Sequence, residues 1–264
     1  MIYTILVAIS PHCSPALSAN ATSLPDLLLW AWQRPEDLSW ISPSEVGVAY
    51  LACHLILLGD RVVTQRRQQP LKVPPGSRMI AVVRIDSDSK HKPDLSVSQI
   101  EQAAQAIARF SEFPRTVGVQ IDFDAAESER EFYASLIRRV RNLLAPEKML
   151  SITALASWCL FDNWIKDLPV DEAVPMMFSL GQDRSKVLLH FKSHRDFSLP
   201  LCCRSLGISL EEQDVNALMI PLAQRRKMPV RIYAYSRSAW SPAKLEQFKH
   251  LIKSHETKPP RTSH

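Results

Sequence analysis

The chain has 264 residues, 46% of them apolar and 22% charged, enough to bury a large core as one domain of barrel size or as two small ones. Only 6 glycines stand against 19 prolines, and neither GxGxxG nor GxxxxGK[ST] occurs, so the Rossmann and P-loop classes lack their phosphate-cradling loop. The net charge of +5 is scattered over "QRRQQ", "RRVR", "QRRK" and the C-terminal tail, which reads as solvated surface rather than an anion-binding face and weighs against a nucleic-acid partner.

Residues 1–26 form a leader or an irregular lead-in. "MIYTILVAIS" is apolar and "PALSANA" resembles a cleavage site, but no Lys or Arg precedes the apolar run. A truncated signal peptide implies the periplasm or cell envelope; otherwise the cytoplasm is expected. Nothing later approaches the roughly 18 apolar residues of a membrane span, so no integral membrane segment is expected.

From residue 27 onward, strand-like apolar runs alternate with helical patterns, the mark of a parallel βα protein. The runs are "LLLWAW", "VGVAYLACHLIL", "MIAVVRID", "VGVQIDFDA", "MLSITALAS", "EAVPMMFSL", "CCRSLGIS" and "VRIYAYS". Eight of them predict an α/β fold, a single (β/α)8 TIM-like barrel over 27–255 followed by a frayed tail. Residues 98–112 place Ile100, Ala104, Ile107 and Ala108 on one helical stripe. Residues 127–144 begin with acids and end with cations, in accord with the helix dipole. A closing helix starts at Ser241 as N-cap with Pro242 behind it. Segment 60–78 is polar and proline-rich where a barrel helix should sit, which predicts a hairpin or loop in its place.

Five cysteines without CxxC or zinc-finger spacing read as free buried thiols. Among the histidines, His54 lies mid-strand with a core or surface role. His190 and His194, spaced i, i+4 outside any HExxH motif, are expected on an exposed helix face.

Chemistry is concentrated in "VGVQIDFDA". Side chains alternate along a strand, so Gln120, Asp122 and Asp124 share one face while Val119, Ile121 and Phe123 share the other. In a barrel the polar set points at the C-terminal mouth, where barrel enzymes hold their chemistry. Other strand ends bring Trp30 and Trp32, Arg84 and Asp86, Thr153 and Ser157 next to Trp158, and Tyr235. Flat aromatics beside carboxylates and arginine suit a sugar, whose CH faces stack on rings while its hydroxyls take charged partners. The expected ligand is therefore a carbohydrate. The expected catalytic group is Asp124, with Asp122 and Asp86, and the binding set is Trp30, Trp32, Arg84, Gln120, Trp158 and Tyr235. The same acids and Arg84 could instead form a buried network at the barrel's centre. No cofactor is expected. The lack of histidine at the strand ends weighs against a metal site on Asp86, Asp122 and Asp124.

The strings "LWAWQRPEDLSWI", "GVQIDFDA", "LSITALASWC" and "LPVDEAVPMMFSLG" resemble a bacterial family catalogued as domain of unknown function 3142, over roughly residues 27–240. That resemblance implies a barrel-like α/β fold and no particular reaction. A more distant resemblance is to chitinase-like glycoside hydrolases of family 18, whose fourth strand ends in DxxDxDxE. Matching Asp122 and Asp124 to its second and third aspartates puts Val119 at the first and Ala126 at the catalytic glutamate. Sliding the match by two residues puts Asp124 in the acid's place. The resemblance implies either a glycosidase, or a non-catalytic glycan-binding or envelope-associated barrel that has lost the chemistry.

Overall fold

Strands apolar on both faces are stable only between two covered surfaces, and the chain uses them that way. The structure is a computed structural model describing residues 24–193, 196–212, 215–219 and 230–256; residues 1–23, with Cys13, as well as His194 and the residues beyond 256 lie outside the described residues. Its strands are β1 (Leu27–Ala31), β2 (Glu36–Asp37), β3 (Val46–Leu58), β4 (Arg61–Arg66), β5 (Leu71–Lys72), β6 (Met79–Ser87), β7 (Thr116–Asp122), β8 (Met149–Leu155), β9 (Glu172–Met176), β10 (Ser205–Ser209) and β11 (Arg231–Tyr235). The helices are α1 (Val97–Phe110), α2 (Arg130–Leu143), α3 (Arg184–Lys192), α4 (Val215–Leu218) and α5 (Pro242–Glu256).

β1 pairs in parallel with both β3 and β11, which closes the sheet. Around the ring the order is β1, β3, β6, β7, β8, β9, β10, β11, every neighbour parallel. This is the (β/α)8 barrel that the sequence predicts, and each of the eight apolar runs supplies one stave.

The helical ring is incomplete in the way segment 60–78 foretold. After β3 the chain turns back through Gly59, whose φ of 52° lies in the left-handed region that favours glycine, and β4 pairs antiparallel with β3. A short β2–β5 pair fills the space beside this hairpin. Ser96 caps α1 by accepting from Gln99 N at 3.2 Å, and Ser241 caps α5 by accepting from Lys244 N at 3.2 Å.

The core has two layers. Leu28, Trp30, Ala49, Ile80, Val82, Met149, Val174 and Tyr233 fill the barrel. A larger layer between barrel and helices includes Leu29, Val83, Val119, Ile121, Leu136 and Ile137. Each fully buried Leu or Ile contributes about 1.5–3 kcal/mol.

The lower barrel also encloses a polar chain. Glu172 is buried and accepts from Arg231 Nη1 at 2.8 Å, from Ser151 Oγ at 3.2 Å and from the Tyr233 hydroxyl. Ser151 in turn accepts from Gln120 Nε2 at 3.0 Å, and Gln120 Oε1 accepts from Trp30 Nε1 at 2.8 Å. A buried carboxylate persists only when satisfied in this way.

The reading of the cysteines as free thiols needs correction. Cys159, after β8, and Cys202, before β10, form a disulfide with Cα atoms 5.8 Å apart. Their separation of 43 residues carries no local signature, so only the closed barrel brings them together. Cys53 is buried and free. His190 also departs from expectation: it is half-buried, its Nε2 lies 2.9 Å from Asp196 O, and its ring packs edge-on against Phe161 and Phe191.

Close approach of β7 to β8 depends on Gly118, where an added Cβ would meet Met149 O at 2.4 Å. Gly118→Ala is therefore expected to destabilise the fold by about 1–3 kcal/mol through overpacking, read as a lowered urea midpoint with an unchanged slope.

Candidate active site

The alternation of β7 delivers Gln120 into the barrel, Asp122 to its rim and Asp124 just beyond. Arg84, next door on β6, meets both acids: its Nη1 lies 3.0 Å from Asp122 Oδ2 and 3.0 Å from Asp124 Oδ2. The same guanidinium holds Asp86, through Nη2 at 3.0 Å and Nε at 3.1 Å from Oδ1. Thr153 of β8 donates to Asp122 Oδ1 at 2.6 Å, and His54 Nε2 bonds Asp86 Oδ2. One guanidinium thus answers three carboxylates. The buried-network reading and the site reading describe the same residues.

Their environments differ. Asp122 retains 3% of its surface, whereas the side chains of Asp86 and Asp124 are each 42% exposed. Burial raises the Asp122 pKa, and the opposing charge of Arg84 and hydrogen bond from Thr153 do not reverse the direction. Burial alone would lower the Arg84 pKa, but the charges of Asp122 and Asp124 outweigh it and raise the value. Arg84 is therefore a fixed cation. Among the described residues no group of three His, Cys, Asp or Glu side chains could hold a metal ion, and the positive charge at this rim is the guanidinium.

Above the acids a cleft of about 420 Å³ is open to solvent, lined on one side by Arg84, Asp122, Asp124 and Thr153 and on the other by Trp30, Trp32, Phe178 and Tyr235. Phe178 and Tyr235 stack with centroids 5.1 Å apart and planes 7° from parallel. Trp30 lies tilted on Tyr233 at 5.2 Å and meets Phe178 edge-on at 6.0 Å. Its indole crosses β10 over Gly207, where a Cβ would stand 2.9 Å from Cη2. Ser157, Ser179 and Asp183 add polar groups to the lining.

Six of the nine residues singled out from the sequence line this cleft: Trp30, Trp32, Arg84, Asp122, Asp124 and Tyr235. Three lie elsewhere. Gln120 is fully buried beneath the floor and bonds Trp30. Asp86 is drawn toward His54 and outside the lining. Trp158 is 3% exposed and packs edge-on against Trp164 at 5.0 Å in the layer between barrel and helices, because β8 ends at Leu155 and Trp158 opens a helical turn in which strand alternation no longer holds. Phe178 was missed, although alternation along β9 through Val174 and Met176 points to it. Asp183, in a single 3-10 turn, has no sequence signal.

No protein-family model and no curated protein sequence matches this chain. Solved structures do. A Streptomyces coelicolor protein described as chitinase A is 10% identical with a TM-score of 0.56, over 88% of this chain and 98% of that one. The chitinase domain of the spore coat protein CotE from Clostridium difficile is 12% identical with a TM-score of 0.39, over 62% of this chain and 53% of that one. The Bacillus cereus spore cortex-lytic enzyme SleL is 15% identical with a TM-score of 0.44, over 77% of this chain and 59% of that one. The chain thus spans little more than half the length of the last two. At these identities the first likeness establishes the barrel fold.

Because folding raises the Asp122 pKa, the native state binds this proton more tightly than the unfolded chain does. The resulting penalty is absent below the unfolded value of about 3.9 and grows as pH rises from there to the folded value. Unfolding free energies measured from pH 4 upward should carry this falling contribution in the parent protein, and Asp122→Asn should remove it.

Proposed function

We propose that the cleft binds a carbohydrate chain and that Asp124 transfers the proton in hydrolysis of a glycosidic bond. The observation that carries the reading is the pairing, within one open cleft, of an aromatic wall with an accessible carboxylate held beside a buried one. Rings of Trp32, Phe178 and Tyr235 offer flat surfaces to sugar CH faces, and Arg84, Asp122 and Thr153 offer donors and acceptors to hydroxyls or an acetamido group. The likeness of the barrel to a protein described as a chitinase agrees with such a ligand.

In this mechanism Asp124, protonated, donates to the bridging oxygen as the bond from that oxygen to the anomeric carbon breaks. Water then adds at that carbon and returns a proton to Asp124. Asp122 orients a substrate acetamido group that stabilises the anomeric carbon from within the substrate, so a second protein carboxylate is not required. Asp86 acts as a positioning group: with His54 it anchors the guanidinium that sets the spacing of the other two acids. This assignment corresponds to the register in which Asp124 takes the acid's place, and it is favoured because Asp124 lines the cleft and Ala126 does not.

A second reading, a glycan-binding barrel without catalysis, is favoured by two observations. Ala126 stands where the other register needs a glutamate, and Arg84 is bonded directly to Asp124.

Turnover and binding on a panel of oligosaccharides and glycan polymers separate the two. Hydrolysis predicts product from the parent protein, a loss of about 10²–10⁴ in turnover for Asp124→Asn with binding retained, and weaker binding for Trp32→Ala. Binding that weakens in Trp32→Ala with no product from the parent identifies the second reading. Turnover indifferent to Asp124→Asn removes Asp124 as the acid, and absence of any glycan binding removes both readings.

A further inference from the structure

The hairpin that replaces a barrel helix leaves an open strand edge outside the cleft. β3 occupies one edge of β4, and among the described residues no strand pairs with the other. In an antiparallel ladder successive residues turn their N–H and C=O groups alternately inward and outward. Arg67 N bonds back to Ala52 O at 2.9 Å, while Val62 N bonds outward to Gln102 Oε1 of α1 at 3.3 Å. Val62, Thr64 and Arg66 are therefore the outward set.

Near the hairpin turn, α1 covers this edge. Gln102 takes the Val62 N–H and reaches Asp60 O at 3.3 Å, and Gln99 reaches Arg61 O at 3.0 Å. Further along, helix and strand part around a cavity of about 430 Å³, with Thr64, Arg66 and Gln68 on one wall and Arg109, Phe110 and Phe113 on the other. Gln68 Nε2 satisfies Arg66 O at 3.2 Å, so the edge presents the N–H groups of Thr64 and Arg66 and the carbonyl of Thr64. Arg66 and Arg109 are both exposed, and no carboxylate lines the space between them.

Charged residues on an edge strand ordinarily guard against pairing. That accounts for Arg66 alone. It does not account for a second arginine supplied by α1, or for a concave space with Phe113 41% exposed at its border. A small anion would answer the arginines but leave the strand edge unpaired.

We propose that this groove docks an extended acidic segment of a partner protein, added as a strand along Thr64 and Arg66. Alternate Asp or Glu side chains face Arg66 and Arg109, and an apolar residue covers Phe113.

The test is amide-shift mapping on the isotope-labelled full chain with three probes: a capped octapeptide alternating Thr and Glu, its Thr/Lys counterpart, and inorganic phosphate. The Thr/Glu peptide is expected to bind with shifts centred on the Thr64 and Arg66 amides. Arg66→Glu and Arg109→Glu should each weaken it about tenfold or more. Thr64→Pro removes an outward N–H without breaking a β3–β4 bond and should weaken it too, with the melting transition confirming an intact fold. Failure of the Thr/Glu peptide to bind, equal binding of the Thr/Lys peptide, or indifference to both charge reversals overturns the proposal. Phosphate binding at Arg66 and Arg109 in the absence of peptide binding overturns it in favour of a simple anion site.

Discussion

The arrangement of the barrel's mouth depends on a single guanidinium. Arg84 lies on β6 beside β7, where the parallel register sets it opposite Asp122. From there it reaches Asp122, Asp124 and, two residues along its own strand, Asp86. A carboxylate as deeply buried as Asp122 survives in an apolar barrel only with a cation and a hydrogen-bond donor at hand. Arg84 and Thr153 provide both. The same contact fixes Asp124 at the rim, where it remains wet. The expense of burying one acid is thus tied to the placement of another.

A second polar chain, from Arg231 and Glu172 through Tyr233, Ser151 and Gln120 to Trp30, runs inside the barrel below the cleft. It joins five of the eight barrel strands, β11, β9, β8, β7 and β1, and ends on the Trp30 indole that lines the cleft. Gly207 lets that indole approach β10 closely, since a Cβ there would stand 2.9 Å from Cη2. Trp30, at the base of the aromatic wall, is consequently held by a buried hydrogen bond and close packing, which favours a surface of fixed shape there.

The eight staves were legible because a strand covered on both sides must be written as a continuous apolar run, and each such run stood between turn or helix signals. The hairpin was legible from prolines and polarity in segment 60–78. Strand parity placed Asp122, Asp124, Arg84, Trp30, Trp32 and Tyr235 at one mouth. Parity does not say how deep a residue sits, so Gln120 could not be told from a cleft residue. Parity says nothing of Trp158, which lies in the helical turn after β8, whereas Phe178 continues the inward parity of β9 into the cleft. The Cys159–Cys202 bond and the His54–Asp86 contact join residues distant in sequence, and no local pattern encodes either.

The central claim is that Arg84 compensates the buried charge of Asp122 and thereby builds the mouth. Unfolding free energies of Arg84→Met and of Arg84→Met combined with Asp122→Asn, at neutral pH, test it most directly. The account predicts a loss of about 3–5 kcal/mol for the single change, the scale of a buried charge left alone, and recovery of most of that loss in the double variant. A single variant as stable as the parent, or a double variant no more stable than the single, would contradict it.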